Sequence, residues 1–256
     1  MRLEHRRALL RTFSDLSRRH HVWEVFNDVI TCAALSLSNG VDWAQTEPRE
    51  AEYMQIDKRY ERDELARFPE VLALLVEILE EGHDDVLGGI FGELELGNAA
   101  RGQFFTPYHL CRAMAQLSVS KHGLAEIIAE RGFVTVQEPA CGAGAMVIAF
   151  AETMLEYGFN PQQQLHVTAV DVDRRAALMC YLQLSLLNIP AIVVVGNTLS
   201  GEGRERWYTP AHILGGWNFR LRRPAPSTEQ VVAEPVEPAF DHQALQLPLF
   251  DEARAA

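Results

Sequence analysis

Paired cysteines are missing from this chain. Its four cysteines, Cys32, Cys111, Cys141 and Cys180, are scattered, with no Cys-x-x-Cys spacing. That excludes a disulfide framework and a thiolate zinc site as organising devices, and it points to a reducing, cytoplasmic setting with no metal. Long apolar runs are missing too: nothing approaches the about 20 residues needed to cross a bilayer, so no membrane association is expected. The opening Met1-Arg2-Leu3-Glu4-His5-Arg6-Arg7 is basic, but no uninterrupted apolar stretch follows it, which argues against a secretory signal. Positive charge is scarce: 23 Lys+Arg stand against 35 Asp+Glu, a net charge of −12. A uniformly basic nucleic-acid surface is therefore excluded. Local clusters remain, with six arginines in residues 1–20 and five in residues 204–223. Either cluster is a phosphate contact or a solvated helix face. There is no internal repeat.

What is present is a globular composition, 48% hydrophobic over 256 residues, enough for one or two modest domains. Residues 1–100 read as helical. Val22 to Ile30 spaces apolar residues at helical intervals. Pro69 sits in a favoured first-turn position, Gly82 ends that helix, and Asp84-Asp85 offers a cap for the next. From residue 101 the pattern changes. Phe133-Val134-Thr135-Val136 predicts a strand ending at Glu138, residues 144–157 a helix, and residues 165–171 a second strand. Asp173 then caps a helix running to about Leu187, and residues 191–195 read as a third, fully buried strand. Alternating strand and helix predicts parallel crossovers in an α/β domain over residues 101–223. Residues 224–256 are rich in Pro, Glu and Gln with little apolar periodicity, and read as a disordered tail.

The chemistry-bearing segment is Glu138-Pro139-Ala140-Cys141-Gly142-Ala143-Gly144, between a strand and a helix. Glycines permit a sharp turn and close approach of a ligand, and the helix N-terminus beyond offers unpaired N–H groups. Asp171 ends the second strand, 33 residues after Glu138, where an acid suits the two hydroxyls of a ribose. The plain alternative is a tight βα turn with a capping acid. Upstream, Thr106 reads as a helix N-cap with Pro107 in the first turn, and Phe104 and Phe105 read equally as core residues. Cys141 has no evident activating base, and His109, His166 and His212 are isolated in the sequence.

Four segments, Gly102-Gln103-Phe104-Phe105-Thr106-Pro107, the loop from Glu138 to Gly144, Asp171 and Gly196-Asn197-Thr198-Leu199, occur in the order found in modification subunits of type I restriction systems. The chain thus resembles the N6-adenine DNA methyltransferases in which cofactor motifs precede catalytic ones. The resemblance covers about residues 85–200, and the helical N-terminal part is also similar. It implies a Rossmann-like sheet that binds S-adenosylmethionine and acts on DNA. By the same resemblance Phe104, Phe105, Thr106 and Pro107 border the cofactor, with Thr106 near the methionine carboxylate. Glu138, Pro139, Ala140, Cys141, Gly142 and Gly144 hold the methionine end, Asp171 the ribose, and Asn197 lies near adenine.

One family element is missing. No (Asn/Asp)-Pro-Pro-(Tyr/Phe) tetrapeptide occurs anywhere in the chain. In that family its amide and carbonyl hold the target amino group and its ring stacks on the flipped base. The catalytic residues are therefore unassigned, and the sheet is expected to be partial, lacking the strands that would follow the third. On that reading residues 133–137 form a sheet edge, to be covered by the N-terminal helices, by residues 204–223 folding back, or by a second subunit or homodimer. Two functions remain open: a methyltransferase completed by another chain, or an inactive binding module. In the tail, Gln246-Leu247-Pro248-Leu249-Phe250 resembles the peptide by which bacterial proteins dock on the β sliding clamp. Gln246, Leu247, Leu249 and Phe250 would make the contacts, or the segment folds back on the domain's own apolar surface.

Overall fold

The computed structural model of the chain describes residues 2–94, Leu96 and residues 105–222. Gly102, Gln103, Phe104 and the whole tail, including Gln246, Leu247, Leu249 and Phe250, lie outside the described residues.

Helices open the chain: α1 (Arg2–Leu16), α2 (Val22–Asn39), α3 (Thr46–Asp57), α4 (Arg62–Leu65), α5 (Phe68–Glu80) and α6 (Val86–Glu93). The sequence signals act where expected. Pro69 occupies the first turn of α5, which buries Val71, Leu75, Ile78 and Leu79 as one helical stripe. Asp85 caps α6, accepting from the Gly88 N–H at 2.9 Å. Two more helices follow, α7 (Tyr108–Ser118) and α8 (Lys121–Arg131). Here the cap shifts by one residue from expectation. Pro107 takes the N-cap of α7 and no side chain caps it; the ring of Pro107 suits the extended backbone before the helix, and Thr106 is left one step outside.

The α/β part runs β1 (Val134–Glu138), α9 (Ala145–Glu156), α10 (Pro161–Gln164), β2 (Leu165–Asp171), α11 (Arg174–Leu186), β3 (Ala191–Asn197), β4 (Glu202–Tyr208), α12 (Pro210–Leu214) and α13 (Trp217–Arg220). The four-stranded sheet has the order β1-β2-β3-β4, with β1, β2 and β3 parallel and β4 antiparallel to β3. The fold is thus a mixed α/β architecture. The third strand is less uniformly buried than expected: Val193 and Val195 are inside, while Ile192 and Val194 are half-buried. It borders β4, an edge strand of the sheet.

β4 was not legible as a strand, and it alters the expected edge. The described residues from 204 onward divide between the two edges of the sheet. Their first part pairs with β3 on the opposite side of the sheet, Trp207 beside Val193. Strand alternation turns Glu205 and Trp207 inward from a segment that otherwise looks charged. Trp207 is buried, with the Arg49 guanidinium over its ring at 4.3 Å. Arg174 on α11 donates to both oxygens of Glu52 on α3 and to Glu205 on β4, all at 2.9 Å. At β1, the only strand neighbour among the described residues is β2, and α8 and α9 pack on it. Trp217 reaches Phe133 just before that strand, ring centroids 5.0 Å apart, while Leu214 stays exposed.

The histidines separated in sequence meet in space. His166 Nε2 lies 2.9 Å from His212 Nδ1, both buried, and His166 also stacks on Trp217. His166 alternates with Leu165 and Val167 along β2, so this cluster covers the face opposite those two residues. Among the described residues no helix is long and apolar enough to cross a membrane.

Candidate functional site

β1 delivers Glu138 to the C-terminal end of the parallel strands, and the chain then turns through the glycine loop into α9. Gly142 has φ +53° and Gly144 has φ +101°. A Cβ at Gly142 would come within 2.9 Å of the Phe105 ring, and one at Gly144 within 3.1 Å of Cys180 Sγ. Both positions therefore require glycine for conformation and for space. The loop is tied to the second strand: Cys141 N–H donates to Val170 O at 2.8 Å. Asp171 Oδ2 accepts from Gly142 N–H at 2.8 Å, and its Oδ1 accepts from Asp173 N–H at 2.9 Å. Burial pushes the Asp171 carboxyl up from its ordinary range, opposed by those two N–H donors. Each oxygen keeps a lone pair for a further donor.

The loop floors a cleft of about 700 Å³, a volume within the range of small-molecule sites. Of the residues expected from sequence, Phe105, Thr106, Glu138, Ala140, Cys141, Gly142 and Asp171 line it. Pro107, Pro139 and Gly144 shape the elements around it without lining it. Asn197 ends β3, exposed and away from the lining, with its side-chain oxygen accepting from Leu199 N–H at 3.0 Å. Its neighbour Thr198 touches the loop instead, donating to Pro139 O at 2.6 Å.

Other lining residues escaped the sequence reading: Trp23, Asp85, Cys111, Met146, Arg174 and Arg175 among them. Trp23 and Asp85 come from the N-terminal helices, far from the loop in sequence. A buried amide joins the two parts. Gln183 on α11 donates to Asp85 Oδ1 and to Ala143 O, both at 2.8 Å, and accepts from Leu87 N–H at 3.0 Å. Burial raises the Asp85 carboxyl, against hydrogen bonds from Gln183 and Gly88. The only sign of this link in the sequence was the Asp84-Asp85 cap before α6.

Cys141 in the loop and Cys180 on α11 are both buried, and hydrogen bonding to Cys180 together with burial holds the Cys141 thiol well above its ordinary value. A protonated, buried thiol is a packing group rather than a nucleophile. The cleft is thus walled by backbone N–H groups, carboxylates and aromatic rings. It suits a ligand that combines hydroxyls, a flat ring and a polar chain.

Comparison with known proteins bears on the family of the chain. A family model described as N-6 DNA Methylase matches residues 84–219. No curated protein and no solved structure matches the chain. The matched span begins at the residue before Asp85 and takes in the glycine loop, Asp171 and all four strands.

Proposed function

The chain belongs to the N-6 DNA methylase family, and on that premise we propose that the cleft binds S-adenosylmethionine for methyl transfer to adenine N6 in DNA. The observation that carries this reading is the convergence of Phe105, Thr106, Glu138, the glycine loop and Asp171 on one cleft. The residues fit the cofactor. Gly142 and Gly144 let the loop turn closely against Phe105 and Cys180, where a side chain would clash. Asp171 keeps acceptor capacity for ribose hydroxyls while it holds the loop. The N–H groups opening α9 face the place for a methionine carboxylate, with Thr106 beside it. When bound, the cofactor supplies an activated methyl group. The chain's own part is to orient it and to exclude water.

Binding a target adenine is a separate task. The tetrapeptide that would hold the amino group occurs nowhere in the chain, and the Asn197 amide oxygen is engaged in its own turn. We therefore read the chain as a cofactor-binding partner whose methyl transfer needs a second polypeptide to supply that amide. In this reading the Rossmann-like part is a partial methyltransferase sheet, acting within a restriction-modification type of assembly on DNA. The same missing tetrapeptide favours the second reading, a module that binds cofactor and DNA-associated partners without catalysis. Gln246, Leu247, Leu249 and Phe250 would then tether it to the sliding clamp. Calorimetry with S-adenosylmethionine tests the first step. Labelled cofactor with adenine-rich DNA, with and without cell extract, separates the two readings: label that enters DNA only with extract supports a completed enzyme, and no label in either favours the binding module.

A further inference from the structure

Trp23, in the first turn of α2, lines the cleft with 43% of its surface exposed. Arg175 lies against its ring. The guanidinium carbon is 4.6 Å from the Trp23 centroid and 4.9 Å from that of Phe91, so the cation is held between two aromatic rings. Phe91 in turn meets Phe105 at 5.1 Å, and Phe105 rests over Gly142. A run of touching side chains, Trp23, Arg175, Phe91 and Phe105, therefore leads from α2 to the glycine loop. Arg175 is only 8% exposed. Its Nη2 donates to Asp173 at 3.0 Å, while Nε and Nη1 are buried without a hydrogen-bond partner. Burying a guanidinium without full hydrogen bonding is costly, and its contacts with the Trp23 and Phe91 rings offset part of that cost. That indole is left half-open on the cleft, which the exposed Val172, directly after Asp171, also lines.

We propose that Trp23 is the platform for the purine base of the ligand, with Arg175 as the positioning residue that fixes the indole. The inference rests on the nucleoside-cofactor reading above. Residues 171–175 follow one another along the cleft wall. A ribose on Asp171 has the glycine loop on one side, which takes the chain of the ligand. Its base then extends the other way, over Val172 towards Trp23. Specificity for a flat base is in this way built from α2, outside the part of the chain that carries the loop.

Calorimetric titration of the full chain with S-adenosylhomocysteine and with adenosine tests this, using Trp23→Phe and Trp23→Leu beside the wild type. Loss of base stacking weakens binding by roughly tenfold or more, so Trp23→Leu is expected to lose that factor for both ligands while Trp23→Phe retains most of the affinity. Quenching of indole emission on binding should vanish in both variants if Trp23 is the reporter. Matching thermal melts of the two variants exclude a folding effect. Wild-type affinity in Trp23→Leu overturns the platform and leaves the cofactor reading standing. No binding of either ligand by the wild type overturns both.

Discussion

The two walls of the cleft are built on different principles. The wall of β1, the glycine loop, β2 and the start of α11 is local: Glu138, Gly142, Gly144 and Asp171 lie within one strand–helix–strand unit. The wall of Trp23 and Asp85 comes from helices that pack on α11, its two residues preceding Glu138 by 115 and 53 positions. In the first wall, function is set by backbone conformation and by which residues end parallel strands. In the second it is set by buried polar and cationic side chains, Gln183 and Arg175, that hold distant elements in place. The first tolerates few side chains; the second depends on a few side chains that cannot be replaced without leaving partners unsatisfied.

The sharpest way to break this pairing is Gln183→Ala. It removes the amide that joins Asp85, the Leu87 N–H and Ala143 O, so the Leu87 N–H and Ala143 O lose that partner while Asp85 keeps only the Gly88 N–H. Each orphaned group costs about 1–3 kcal/mol, so a loss of roughly 3–5 kcal/mol in unfolding free energy is expected by denaturant titration. A loss within error of zero would show that the two walls are not held by this link.

Acid should unsettle the opposite face of the sheet before it unsettles the cleft. Burial, His212 and Arg220 depress the His166 pKa from 6.5 to about 4, and burial lowers that of His212 as well. The unfolded chain therefore takes up the proton first. The stability these neutral rings allow is complete above about pH 6.5 and is lost as pH falls towards about 4, by about 3 kcal/mol for His166 alone. Melts between pH 7 and 4 check this, and His166→Gln should flatten the profile.

Within the local wall, Asp171→Ala removes the acceptor proposed for ribose as well as the ties to Gly142 and Asp173. Cofactor affinity is expected to fall by about 1.5–3 kcal/mol, measured by calorimetry. Unchanged affinity would assign Asp171 to the loop alone. Gly144→Ala is the smallest of these changes. Its left-handed backbone disfavours a side chain by about 1–2 kcal/mol, visible as a lower melting temperature. The neighbouring Cys180 sulfur must also move to admit the methyl group.

The same contrast explains what could be read in advance. β1, β2, α9 and α11, with the caps at Asp85 and Asp173, followed from periodicity and end signals. So did most of the local wall, because its residues act through their own backbone. Pro107 displaced Thr106 from the cap by one position, a boundary decided by ring geometry. β4 was missed because an edge strand with charged residues on its open side carries no apolar alternation beyond Trp207. The His166–His212 pair was missed because nothing in the sequence spacing relates β2 to α12.

By itself the sequence determined the parallel strand–helix–strand unit, the turn that only glycine permits, and the acid at the end of β2, since each is a property of neighbouring residues. Only the tertiary structure decided that Trp23 and Asp85 complete the cleft, that Gln183 joins its walls, and that β4 closes the side of the sheet away from β1. Those depend on burial shared between elements far apart in the chain, and a buried donor or cation selects its partner by geometry rather than by sequence distance.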